Sequence, residues 1–340
     1  MKKMLIINIL DILKRYSDES HRLSQREIAA LLEKEYDTKV DRKAIKRNLM
    51  NLIDFGYPIE FRESVRVNKR GEEETVYSDW YLQREFSDAE LRLLIDGLLF
   101  SKHIPYSQCE MLIEKLEGLS NVYFKSKVKH IRNLPITMPD NKQLFYTIEL
   151  LDEAISRGRQ VSFTYNEYDT DKKMYPRATC DGQARVYVVN PYQMAATNGR
   201  YYLICNYEGY DDLGNYRLDK ITDIQLLDTL AKDKKLVVGM EHGLNLPQHM
   251  AEHIYMFAGE SVRVKFRAKR QIVGDILDWF GRDVRFTNEN DDEVDVSVSV
   301  NEQAMFYWAL QYGVYVEVLK PEGLRQRITE AAAKMMGKYT

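Results

Sequence analysis

Between residues 160 and 227 every apolar run is short and rich in tyrosine and β-branched residues, and each is followed by a turn rather than a helix. The runs read VSFTY, RVYVVNPYQMAA, RYYLICNY and YRLDKITDIQLL. Parallel pairing needs a long crossover between strands, so runs joined this closely must pair antiparallel. The spacing predicts a small antiparallel barrel or sandwich. Asn198-Gly199 is a hairpin dipeptide that supplies positive φ at both turn positions. A second turn spans 211–215 and an Arg-Leu-Asp-Lys tetrad, residues 217–220, follows it.

At 340 residues the chain exceeds one average core, so the module must share it with other domains. Apolar content of 44% and charged content of 30% describe an ordinary globular protein. No run approaches the length of a membrane span. The start, MKKMLIINILDILKRYS, has basic residues before an apolar stretch, but Asn8, Asp11 and Lys14 break it. Its apolar spacing (Leu5, Ile9, Ile12, Leu13) is helical, which argues against a signal peptide. Cys109, Cys180 and Cys205 lie far apart, with neither metal spacing nor an even-numbered disulfide framework, so a cytoplasmic location is expected.

The first segment predicts three helices and a hairpin. Helices are expected over 4–16, from Ser24 with its Ser24/Glu27 capping box, and from Asp41 as N-cap to about Gly56. Strands are expected over 59–67 and 75–82, around a charged tip at 68–71. The stretch 39–51, around the start of the third helix, carries Lys39, Arg42, Lys43, Lys46 and Arg47 against Asp41, a local balance of 5 − 1 = +4 in a chain of net charge −3. At 100° per residue, Ile45, Leu49, Leu52 and Ile53 face a core, and Lys43, Lys46, Arg47 and Met50 face away. Cations on two adjacent turns suit the major groove of duplex DNA, and Lys69-Arg70 at the hairpin tip suit its backbone. Taken alone, such a face is more often merely solvated; the ordered series of helix, capped helix, basic helix and hairpin favours DNA.

Ser87/Glu90 is a second capping box, opening a helix over 88–102, with further helices expected over 108–119 and 121–132. Pro135 and Pro139 mark a linker, and a helix over 144–157 ends at Gly158. The last part predicts strand, helix, two strands, helix, strand and a final helix, the β-α-β-β-α-β order of ferredoxin-like domains. The expected divisions are 1–83, a helical linker over 84–140, the β module over 141–232, a connector over 233–259 and a terminal domain over 260–340.

No catalytic or cofactor motif occurs: there is no P-loop, dinucleotide fingerprint, G-x-S-x-G or H-E-x-x-H. His249 and His253, four apart with His242 upstream, could share a metal on a helix, but no third ligand is evident and surface histidines are expected. Cys205 reads as a buried side chain. The Asp291-Asp292-Glu293 cluster sits in an expected hairpin turn. The β module instead concentrates tyrosine (Tyr165, Tyr187, Tyr201, Tyr202, Tyr207 and Tyr216 among them) and Arg185, Arg200 and Arg217. Alternation puts Tyr201 and Leu203 on one sheet face and Tyr202 and Ile204 on the other, and one set must be core. A single Tyr here is ordinary β packing more often than ligand contact. Several Arg residues have no structural role in a barrel, and guanidinium answers phosphate with a bidentate fork.

On these residues the chain resembles the WYL-domain transcriptional regulators of bacteria. The family is named for a Trp-Tyr-Leu tripeptide after a turn; here Gly199-Arg200 precedes Tyr201-Tyr202-Leu203. The segment YRLDKI, residues 216–221, is similar to the family's Arg-x-Asp-Arg stretch, with Lys220 for the final Arg, which keeps charge but loses the fork. The run at 190–192, the strand ending at Tyr165, the helix VDRKAIKRNLMNL (with Asn48 for a common Asp) and the terminal GVYVEVLKPEGLR also match. The resemblance implies a multidomain α+β chain: a winged helix-turn-helix, a helical linker, an Sm- or SH3-like barrel and a C-terminal ferredoxin-like extension. It implies a homodimer that binds an operator in double-stranded DNA and senses a nucleotide or nucleic-acid fragment. DNA contacts fall to Arg42, Lys43, Lys46, Arg47, Lys69 and Arg70, and effector contacts to Arg185, Tyr187, Arg200, Tyr202 and Arg217. The expectation is a regulator with no enzymatic activity, metal, cofactor or membrane partner. The alternatives are a nucleotide-processing enzyme and a single-stranded nucleic-acid-binding interaction protein.

Overall fold

The computed structural model describes residues 4–67, 71–124, 141–240 and 243–340. The chain is a mixed helix-and-sheet protein; among the described residues it has three sheets, antiparallel in every pairing, and it divides into two compact units, residues 1–140 and 141–340. The expected helix over 121–132, beyond Phe124, and the proline-marked linker lie outside the described residues.

In the first unit, α1 (Leu5–Tyr16), α2 (Gln25–Tyr36) and α3 (Arg42–Asp54) precede a hairpin of β1 (Ile59–Val67) and β2 (Glu73–Leu82). The Ser24/Glu27 capping box forms, and the Asp41 side chain accepts the amide of Ala44 at 2.8 Å. Both satisfy amides that a helix start leaves without partners. Ile9, Ile12, Leu13, Ile28, Leu32, Ile45, Leu49 and Trp80 are fully buried in one core. Each such aliphatic side chain contributes roughly 1.5–3 kcal/mol of burial. Leu23, between α1 and α2, exchanges backbone hydrogen bonds with Trp80 and adds a one-residue third strand to the hairpin.

Two more helices, α4 (Asp88–Phe100) and α5 (Tyr106–Gly118), follow the hairpin. Arg84 ties them back: it donates to the carbonyls of Lys14 and Ser17 and to the Ser120 hydroxyl. These carbonyls belong to the end of α1, which lacks intrahelical donors.

The second unit begins with α6 (Leu144–Arg157), stopped by Gly158 at φ +59°. Its buried side chains, including Leu144, Leu150, Leu151 and Ala154, face the sheet. Six strands follow: β3 (Arg159–Tyr168), β4 (Met174–Pro176), β5 (Val186–Thr197), β6 (Arg200–Tyr207), β7 (Gly214–Arg217) and β8 (Ile221–Leu230). The order is β4-β3-β5-β6-β7, with β8 on the edge of β3 away from β5. A single 3₁₀ turn, Leu218–Lys220, joins β7 to β8. Three residues span at most about 10 Å, so the two far edges of the sheet are drawn together and the sheet curls on itself.

Alternation required one set of β6 side chains to be core, and the structure buries residues of both sets. Leu203 and Cys205 on one face and Ile204 on the other are all fully buried, and Tyr202 is 9% exposed. The connector supplies the missing cover: Leu244, Leu246, Met250 and Met256 pack on Ala195, Tyr202 and Ile204. Alternation gives two faces but cannot say that a later segment returns to cover the second.

The connector contains α7 (Leu246–Glu252). Beyond it run β9 (Ser261–Lys269), α8 (Val273–Phe280), β10 (Arg285–Thr287), β11 (Glu293–Asn301), α9 (Glu302–Gln311), β12 (Val316–Lys320) and α10 (Glu322–Met336). The strands pair in the order β10-β11-β9-β12. Phe266, Val296, Ile276, Phe280, Met305 and Trp308 form the core between one sheet face and the helices.

Candidate functional site

The basic face of α3 is set by its N-cap. With Ile45, Leu49 and Leu52 committed to the core, Arg42, Lys43 and Arg47 emerge exposed on the first turns. Lys46 is half-buried, its ammonium 4.0 Å from the centroid of the Tyr77 ring on β2, a cation–π contact that aims it along the hairpin. Met50, expected on the open face, is half-buried against the core. Asn48 donates to the Ala44 carbonyl at 2.8 Å and so is occupied within its own helix. Lys69 and Arg70 lie outside the described residues. The strands β1 and β2 carry Arg62 and Arg66 against Glu60, Glu63, Glu73, Glu74 and Asp79, or 2 − 5 = −3. Cationic character in the described part of this region therefore belongs to α3.

In the curled sheet the five effector candidates fall on two faces. Register sets Leu203 opposite Tyr216 and Val189 opposite Tyr207, facing inward with Tyr187. Tyr202 pairs with Arg217, and Arg200 is two residues back on the same side. Arg200, Tyr202 and Arg217 thus form one group; Arg185 and Tyr187 form another.

The first group centres on Asp219, 1% exposed. Arg217 meets it bidentately, Nε to Oδ1 at 3.0 Å and Nη2 to Oδ2 at 2.5 Å, and Arg200 Nη1 lies 3.7 Å from Oδ2. Burial pulls the Arg217 pKa down, but its bonds to Asp219 raise it above the ordinary value. Tyr202 has its ring in the connector core. Its hydroxyl pKa is raised by burial. This group is largely a structural lock on the 3₁₀ turn.

The second group continues into a row of alternating cations and tyrosines. Lys220 Nζ lies 6.0 Å from the Tyr165 ring centroid and Arg177 Cζ 5.2 Å from it. Arg185 Cζ lies 4.8 Å from the Tyr187 ring and 5.6 Å from that of Tyr207. The rings follow one another at 6.2 Å (Tyr165–Tyr187) and 6.0 Å (Tyr187–Tyr207). Arg177 also bonds Glu167, and its charged form is favoured by that carboxylate and by Tyr187 despite burial. The backbone builds the row: the Arg177 amide donates to the Tyr165 carbonyl at 2.9 Å and the Arg185 amide to the Arg177 carbonyl at 2.7 Å. Burial pushes the Tyr165 hydroxyl up to about 12, so it stays a neutral donor. Lys220 is pulled down by burial and then by Arg217, and no carboxylate lies within ion-pair distance of it among the described residues. A negative charge beside the ammonium would offset both by favouring its charged form.

Sequence reasoning missed Arg177, which lies in a loop region with no repeat or pattern to mark it. It named Lys220 only as a substitution within a motif. The expectation of surface histidines is also corrected. His249 and His253 are each 8% exposed and stack at 4.1 Å, and burial lowers the pKa of His249 to about 4. Among the described residues no group of three or more His, Cys, Asp or Glu side chains could hold a metal ion. Cys205 is fully buried, and burial raises its thiol pKa. Asp292 and Glu293 are paired with Lys269. No described helix is long and apolar enough to cross a membrane.

No curated protein matches the chain. Among solved structures, it is similar to proteasome accessory factor B/C (PafBC) of Arthrobacter aurescens, 16% identical with a TM-score of 0.29, over 95% of this chain and 47% of that one. A CRISPR Cas-related protein is 14% identical with a TM-score of 0.37, over 100% of this chain and 86% of that one. The chain spans about half the length of the PafBC chain. The WYL domain model matches residues 146–226, which hold α6 and most of the curled sheet, and the WCX domain model matches residues 259–336, the terminal sheet and its helices. The chain thus carries a WYL domain followed by a WCX domain.

Proposed function

We propose that this protein is a ligand-responsive DNA-binding transcriptional regulator, in which α3 contacts an operator and the cation–tyrosine row binds an anionic nucleotide or nucleic-acid fragment. The row carries the reading. Its cations suit phosphates, and Tyr207, partly exposed, is the ring open to a base, while Tyr165 and Tyr187, 7% and 3% exposed, are the floor that holds the cations in place. Lys220, Arg177 and Arg185 are the primary anion contacts, and Arg217 positions the turn that holds Lys220.

The finer folds are read in the same way. Three helices, a hairpin and the Leu23–Trp80 bridge support a winged helix-turn-helix. A curled antiparallel sheet with a 3₁₀ turn before its last strand supports an Sm- or SH3-like barrel. The order β10-β11-β9-β12 supports a ferredoxin-like extension. A homodimer would place two α3 helices on a palindromic operator. The reading assigns the protein no catalytic step and no cofactor.

The test is a gel shift of the full chain on its own upstream promoter fragment at stated salt, with and without short single-stranded DNA and cyclic nucleotides. A specific shift that one of these strengthens or abolishes, and that Lys220→Ala/Arg177→Ala renders unresponsive, supports the proposal. A specific shift indifferent to every nucleotide, or a response the double variant leaves intact, refutes the effector assignment.

A further inference from the structure

The sheet of the terminal domain has one face covered by α8 and α9, and its other face is met by α7 at the Ser261 and Ser299 end, where Glu252 bonds both hydroxyls. Residues 264, 266 and 268 of β9 point into the core, so Arg263, Lys265, Arg267 and Lys269 line the other side of that central strand. On β11 the same face carries Glu293, Asp295, Ser297 and Ser299, and on the edge strands Arg285 and Glu317. Register adds Lys320 opposite Lys265, and Glu252 of α7 bonds Ser261 and Ser299 at the Arg263 end, so the balance is six cations against four carboxylates, 6 − 4 = +2.

The carboxylates are unevenly placed. Asp295, 3% exposed, holds Lys265 at 3.0 Å and Arg267 at 3.1 Å, and Lys269 is held by Asp292 and Glu293. Arg263 and Arg285 are exposed and make no ion pair among the described residues. They flank one spot. Register sets Arg285 opposite Ser297 and Ser297 opposite Lys265, with Arg263 two residues along β9 and opposite Ser299. At strand spacings of about 4.8 Å and roughly 6.8 Å per residue pair, the three cations surround the Ser297 hydroxyl.

We infer that this face binds the phosphate backbone of nucleic acid, through Arg263, Arg285 and Lys265 around Ser297. A protein partner would need apolar or aromatic anchors. This face offers short hydroxyls and long cations at its centre, which meet phosphate without reading bases. The site is separate from α3 and from the barrel row, and it gives sequence-independent grip.

The experiment uses the full chain and a fluorescein-labelled duplex of unrelated sequence, followed by anisotropy over a salt series. Arg263→Glu/Arg285→Glu is compared with Lys43→Glu/Arg47→Glu and with the unchanged protein. Because Arg263 and Arg285 make no ion pair among the described residues, their replacement should spare the fold, and a melting curve checks this. Losing two phosphate contacts lowers the slope of log K against log salt by about 2. Affinity and slope unchanged in the sheet variant, with loss confined to the α3 variant, overturn the inference and leave the regulator reading standing. Loss confined to the sheet variant supports the inference and counts against α3 as the duplex contact. Polyglutamate competing as well as polyphosphate at equal charge also overturns the inference, because the face would then answer any polyanion, acidic proteins included.

Discussion

Replacing Arg217 by alanine leaves the Asp219 carboxylate, 1% exposed, without its two strongest bonds. Breaking a buried pair by removing one partner costs about 3–5 kcal/mol, because the remaining charge is neither solvated nor matched. Arg200 stays, 3.7 Å from the carboxylate and partly exposed, so the expected cost lies near the lower end, about 3 kcal/mol. For a unit of 200 residues (141–340) that is about 6–12 °C in Tm. Asp219→Asn should recover part of the loss in the Arg217→Ala background, because a neutral amide has less to lose from burial. The assay is thermal and urea unfolding of the wild type, both single variants and the double variant. Arg217→Ala within about 0.5 kcal/mol of wild type, or strict additivity in the double variant, would refute a structural lock. The same logic makes Arg217→Ala an unsuitable probe of effector binding, since any lost response would be mixed with lost folding.

Lys220→Met keeps the stem against Tyr165 and removes the charge; effector affinity should fall about tenfold or more while Tm stays within a few degrees, measured by titration calorimetry and melting. Lys43→Glu/Arg47→Glu should lower the salt slope of operator binding by about 2, read by anisotropy. Ser24→Ala removes one partner of a capping box and should cost about 1 kcal/mol by urea unfolding. His249 has its folded pKa depressed from 6.5 to about 4 by burial and by His253. The native state therefore binds fewer protons than the unfolded state between these values. Its stabilising contribution is whole above about pH 6.5 and drains away as pH falls toward 4, on the order of 3 kcal/mol. His249→Gln should flatten the stability profile across that window.

The elements with strong local signals were legible in the chain. Ser24, Asp41 and Ser87 announce their helices because each capping side chain accepts the amide three residues on, and Gly158 ends α6 because the left-handed conformation there suits glycine. The terminal β-α-β-β-α-β order is legible because period-2 and period-3.6 runs alternate with clear turns. The candidate site was less so. Arg177 joins Tyr165 and Arg185 through backbone bonds across loops, and such contacts leave no periodic trace. The burial of Tyr202 and of the two histidines depends on the connector folding back over β6 and β7, a long-range event that no window of residues encodes. The roles of Arg217 and Lys220 could not be separated until the position of Asp219 between Arg217 and Arg200 was known.

Asn141, the first residue of the second unit, donates from Nδ2 to the carbonyls of Asp219 and Ile221, at 3.2 and 2.7 Å. The turn that presents Lys220 is thus fastened by a carboxamide to the residue that opens the second unit. Hydrogen bonds of this length do not stretch by more than a few tenths of an ångström before they fail. A turn displaced by an incoming phosphate must therefore either carry Asn141 with it or let go of both bonds. Either way the turn and the start of the second unit move as one piece, and Asn141→Ala would free the turn without touching a charge.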